Sequence, residues 1–202
     1  MTVTRELRAV ETPLTLAVLT LLAEQPRHPY DMKTTLGERR VAEVVKLRGG
    51  SLYDAIGRLE KAGLVCRTGT ARAGARPERT VYRITESGHD LLDTLLERFL
   101  AEPVNEYPRF VAALAHLPAL APPVAAQLLR RRAARLREQT TAAARRREES
   151  ADLPRAVLLE SDYLAHLRAA EIDWLERTAI EIDRGMPWPD GGPGRDDDKE
   201  KL

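Results

Sequence analysis

The stretch LRGGSLYDAIGRLEKAGLV, residues 47–65, narrows the possible folds more than any other part of the chain. Its apolar residues Leu52, Ala55, Ile56 and Leu59 recur at three- and four-residue spacing, which gathers them on one side of an α-helix. The opposite side carries Asp54, Gly57, Arg58 and Lys61, with Tyr53 on its shoulder and Ser51 at its start. Gly49, Gly50 and Ser51 let the chain turn into this helix, and Ser51 is expected to cap its first amides. At the far end Gly63 suits the left-handed position after a helix, so that Leu64 closes back on Leu59. The pattern predicts a helix of about three turns followed at once by a strand. Its second face is polar, small and mixed in charge, which suits either solvated surface or a surface made to enter a groove.

Two further helices precede it. ETPLTLAVLTLLAEQ offers Thr12 as a cap and Pro13 at the first helical position, then runs apolar almost all round, as a buried helix does. RHPYDMKTTLGERR repeats the device with Pro29 and sets Met32 and Leu36 on one side. After the third helix come two β-rich segments, about Leu64 to Thr68 and Thr80 to Thr85, joined by a loop of Gly, Ala, Pro and Arg. In the second, Val81 and Arg83 share one face while Thr80, Tyr82 and Ile84 share the other. Tyr30 and Tyr82 are expected in the core, and Cys66 as a small buried group on the first strand. Three helices and a two-stranded ribbon with an arginine-bearing tip form the order of a winged helix-turn-helix. In that arrangement the third helix enters the major groove of DNA and the ribbon tip lies by the neighbouring backbone.

The remainder reads as helical to about Arg184. TESGHDLLDTLLERFLAE carries a broad apolar stripe, and Pro103 and Pro108 then break the chain before the short YPRFVAALAHL helix. Two long helices follow, about 122–150 and 153–184, with narrow apolar seams that are expected to pack antiparallel and to offer a seam to a partner chain. The arginines of the first, Arg130, Arg131, Arg132, Arg135, Arg137 and Arg145 to Arg147, suggest a second DNA surface, but the favoured expectation on a long helix is a solvated face or pairing with acids of the second such as Glu160, Asp162, Glu171, Asp173 and Glu176. Tyr163, Leu167 and Trp174 suit seam packing, or alternatively the wall of an effector pocket. The fold class is therefore mainly α with a small β-hairpin wing: a winged helix-turn-helix over 1–100 and an antiparallel helical dimerisation domain over 101–185. The tail 186–202, rich in Gly, Pro and charge, is expected to be disordered.

Charge supports a nucleic-acid partner only once it is mapped. The net charge is +1, but residues 27–83 hold 13 Lys/Arg against 6 Asp/Glu, while the rest of the chain holds 19 against 25. A basic segment on an acidic remainder is the footprint of phosphate contact. No run of eighteen apolar residues occurs and the start lacks an apolar signal core, so a cytoplasmic location without membrane contact is expected. The single cysteine excludes an internal disulfide. His28, His89, His116 and His166 show no metal spacing, so no metal or cofactor is expected. HExxH, GxSxG, P-loop and dinucleotide patterns are lacking, which argues against an enzyme.

PLTLAVLTLLAEQPRHPYDM, GSLYDAIGRLEKAGLV and RPERTVYRITESGHDLL, at these spacings, resemble the PadR family of bacterial transcriptional regulators, most closely from Pro13 to Leu100. The resemblance implies a homodimeric repressor on a pseudo-palindromic, double-stranded operator, with dimerising C-terminal helices and a small-molecule effector bound near their interface. Carried onto this chain, it implies DNA contact by Ser51 and Tyr53, with Arg58 and Lys61 on the same helix and Arg76 and Arg79 on the wing. Asp54 sits where it would repel phosphate; it either reads a cytosine amine or holds Arg58 at helical spacing. The rival is a winged helix kept as a protein-interaction scaffold that does not touch DNA.

Overall fold

The computed structural model describes residues 10–39, 41, 45, 50–71, 79–148 and 152–189. The chain divides into two compact units, Met1–Asn105 and Glu106–Leu202.

In the first unit, α1 (Pro13–Glu24) starts as its residues demand: the Thr12 hydroxyl oxygen accepts from the Thr15 amide at 3.1 Å, and Pro13 fills the first turn. Leu14, Val18, Leu19, Leu21 and Leu22 are buried. Helix α2 (Pro29–Glu38) is capped by His28, whose Nδ1 accepts from the Tyr30 amide at 3.1 Å, and it buries Met32 and Leu36. Tyr30, expected in the core, is 58% exposed. Two residues before Met32, it lies about 160° round the helix from that buried side chain.

Helix α3 (Ser51–Lys61) begins differently from the expectation as well. Its cap is Gly50, at φ 74, with no side-chain cap bond, so Ser51 stands in the first turn instead of capping it. A left-handed entry favours a residue without Cβ. The end is as expected: Gly63, at φ 72, donates to the Glu60 carbonyl, and the Leu64 amide donates to that of Leu59 at 2.9 Å. Strands β1 (Val65–Ala71) and β2 (Arg79–Ile84) pair antiparallel from Val65 with Ile84 to Ala71 with Arg79, with an irregularity between Arg67 and Gly69. Arg27 extends this ribbon by exchanging two 3.0 Å backbone bonds with Tyr82, which is buried. Cys66 is half-buried. Helix α4 (Glu86–Ala101) follows. The Thr85 hydroxyl joins its start to the end of α3, accepting from the Gly88 amide and donating to the Gly63 carbonyl at 2.8 Å.

In the second unit, the short α5 (Arg109–Leu114) precedes two antiparallel helices, α6 (Pro122–Glu148) and α7 (Arg155–Asp183). Small residues, Ala125, Ala126 and Ala133 of α6 and Ala179 of α7, let them approach around Leu129, Leu175 and Ile182. The arginines pair as expected in kind: Arg132 with Glu171, Arg137 with Glu176 and Arg130 with Asp183. Disorder was expected from residue 186, but the first residues there are packed. Gly185, at φ 89, turns the chain back, Met186 and Trp188 lie against the core, and Trp188 Nε1 donates to the Leu120 carbonyl at 3.0 Å. Residues 190–202 lie outside the described residues.

Candidate nucleic-acid interface

Helix α3 divides sharply between two faces. Leu52, Ala55, Ile56 and Leu59 are buried in the core, whereas Asp54, Gly57, Arg58 and Lys61 are exposed, Tyr53 is 53% exposed and Ser51 half-buried. The expected residues of this helix are thus brought onto one surface. Asp54 and Arg58 form no ion pair, although four residues apart, so the option that Asp54 serves to hold Arg58 is not realised. A Cβ on Gly57 would meet nothing within 4 Å, so the face carries a notch at its middle.

The ribbon is held against this helix. Arg67 of β1 grips Glu60 of α3 through two bonds, 2.7 and 3.1 Å, and lies 5.9 Å over the Tyr82 ring. The hydrogen bond to the Glu60 carboxylate raises the Arg67 pKa above its ordinary value. On β2 Arg79 pairs through its backbone with Ala71, at the end of the ribbon away from Val65 and Ile84. Arg76 lies outside the described residues.

Among the described residues, several cations of the basic segment are already engaged. Arg67 is held by Glu60, while Arg27 and Arg39 converge on Glu24, with Arg39 Nη2 at 2.9 Å and Arg27 Nη2 at 2.8 Å. The hydrogen bond from Arg39 holds the Glu24 carboxyl below its ordinary value, and Arg27 adds to this. Lys33, Arg58, Lys61 and Arg83 are exposed. Arg83 was not singled out as a site residue, yet period two along β2 already set it opposite Tyr82.

The candidate effector residues stand elsewhere, on the outside of α7: Tyr163 is 64% exposed, Leu167 49% and Trp174 40%. They share one side of the helix, and Phe110 meets Trp174 edge-on at 6.4 Å, with Arg132 stacked 3.9 Å over the Phe110 ring. An apolar cleft of about 320 Å³ lies in the first unit, among Leu16, Ala17 and Leu21 of α1, Leu36 and Arg39. Among the described residues no cluster of three His, Cys, Asp or Glu is placed to hold a metal ion, and no helix is long and apolar enough to cross a membrane.

Residues 18–94 match the Transcriptional regulator PadR-like family. No curated protein matches the chain. Among solved structures, Bacillus subtilis PadR in complex with p-coumaric acid is similar, with a TM-score of 0.70 at 18% identity over 85% of this chain and 99% of that one. The same protein in complex with operator DNA gives 0.69 at 19% identity, over 83% and 98%. The Vibrio cholerae virulence activator AphA gives 0.63 at 18% identity, over 85% and 98%. At these identities the likeness is one of fold.

Proposed function

We infer the function from the premise that residues 18–94 form a PadR-like transcriptional-regulator domain: the chain is a DNA-binding transcriptional regulator, and we propose that it acts as a cytoplasmic homodimeric repressor. The carrying observation is the outer face of α3, which exposes Tyr53, Asp54, Gly57 and Arg58 while the inner face is fully buried. A helix so built is held rigidly by one side and offers the other to a groove. In this reading Ser51 and Tyr53 meet the edge of the duplex, and Arg58 and Lys61 reach phosphate or base. The wing, with Arg79 and Arg76, follows the adjacent backbone. The engaged Arg67 positions the ribbon and does not contact DNA itself.

The partner for the second unit is another copy of the chain. Tyr163, Leu167 and Trp174 expose apolar surface along α7 that a second copy would cover. Such a dimer binds an operator when its two α3 helices sit about one DNA turn apart, roughly 34 to 36 Å. Structures of Bacillus subtilis PadR in complex with operator DNA and in complex with p-coumaric acid support our reading that a small-molecule effector relieves DNA binding by this chain. Such relief needs a coupling of only about 1–3 kcal/mol.

The test is a titration of the duplex upstream of the protein's own gene across a salt series, with Tyr53→Ala and Arg58→Ala alongside. Tight binding is expected, with a logarithm that falls linearly in log salt, weakened by both substitutions and with a shallower slope for Arg58→Ala. Equal, weak binding of all duplexes by all three proteins would overturn the assignment and favour a scaffold.

A further inference from the structure

The carboxylate of Asp54 occupies an unexpected position for a helix that meets a polyanion. At 100° per residue, Asp54, Gly57 and Lys61 all lie within about 30° of the line opposite the buried stripe of α3. Asp54 is therefore the most outward charge of the first turns. It is exposed, and among the described residues no cation forms an ion pair with it. Against a phosphate it would be repelled. It needs a donor.

The major groove supplies one donor that suits a pure acceptor. Cytosine presents its N4 amine, whereas adenine sets the N7 acceptor beside its N6 amine, and guanine and thymine present acceptors. A carboxylate accepts and does not donate, so among the four bases cytosine matches it. Aspartate is short, however, and reaches a base edge only if the helix backbone comes close. Gly57 supplies that clearance. It sits three residues on, on the same face, and a Cβ there would touch nothing in the protein. Nothing internal requires glycine at a helical position where alanine is the better former.

We propose that Asp54 is the specificity-determining residue of α3, accepting a hydrogen bond from the N4 amine of one cytosine in each half-site, with Gly57 giving the clearance that lets it reach. This rests on α3 being the DNA-reading helix. The competing role for Asp54 is to offset the positive end of the helix dipole, since it lies in the first turn.

Selection of binding sites from random duplex DNA separates these roles, using the full chain, Asp54→Asn and Asp54→Ala, each checked for native helicity. Wild type is expected to enrich a motif with one fixed C·G pair per half-site. Replacing that pair by T·A should weaken wild-type binding by about 5- to 150-fold and leave Asp54→Ala indifferent. Asp54→Asn should select A·T there, because an amide matches both N6 and N7 of adenine. Gly57→Ala should bind the selected site more weakly although its fold is sound. If both Asp54 variants enrich the wild-type motif unchanged, the cytosine contact is overturned and the dipole role stands. Should Gly57→Ala bind the site as wild type does, the clearance is overturned. If wild type itself enriches no motif, the DNA-reading assignment of α3 fails first and takes this inference with it.

Discussion

A Cβ placed on Gly88 would come within 2.2 Å of the Leu64 carbonyl oxygen and 2.7 Å of Ile84 Cγ1, because α4 starts against the strand ends. The obstacle is backbone and cannot swing aside. Gly88→Ala is expected to destabilise the first unit by about 1–3 kcal/mol. Gly57→Ala, in open space on an exposed helix, is expected to stabilise it by about 0.5–1 kcal/mol. Thermal unfolding should show midpoints moving in opposite directions, by roughly 4–8 °C per kcal/mol for a unit of this size. A fall for Gly57→Ala would contradict the open notch. Both glycines read alike in the sequence, because helical periodicity reports which face is apolar and is silent on how closely backbones approach. The two tyrosines teach the same lesson. Tyr82 was legible as core from strand alternation, whereas Tyr30 needed its angle from Met32 to be weighed above its apolar ring.

Between elements, the clasp of Glu24 with Arg39 and Arg27 joins the end of α1 to α2 and to the turn that pairs with β2. Folding lowers the Glu24 pKa, so its contribution is complete above the ordinary carboxylate value and is lost as pH falls through the lowered one. The pairs are partly exposed, which limits the effect to at most about 1 kcal/mol and makes it sensitive to salt. Glu24→Gln is therefore expected to melt a few degrees below wild type near pH 7 and to match it in acid, once Glu24 is protonated in both folded and unfolded chains. A gap that persisted in acid would assign the loss to packing instead. At this scale the sequence was most informative: the start of α1, the end of α3 and the alternation of β2 each follow from local chemistry. The cap of α3 was not legible, since Gly50 and Ser51 both suit a helix start and only the backbone angle decides between them. The clasp itself joins residues fifteen apart, beyond what helical spacing displays.

For the whole molecule, a net charge of +1 conceals both the basic segment and its internal neutralisation. The pairing of the α6 arginines with α7 was legible, because opposite runs on consecutive long helices meet when the helices pack antiparallel. What covers the outer side of α7 was not, since a seam residue and a pocket residue have the same character. If that side joins two copies, Leu167→Glu should give monomers in sedimentation at concentrations where wild type is dimeric, and should weaken operator binding without changing the selected half-site. The measurement that tests the central claim most directly is hydroxyl-radical and base-specific footprinting of the selected operator with wild type and Arg58→Ala. Two protected major-groove tracts, centred about 10 base pairs apart and both lost in Arg58→Ala, are the expected result. A single tract, or protection that Arg58→Ala leaves unchanged, would contradict the account of a dimer reading DNA through α3.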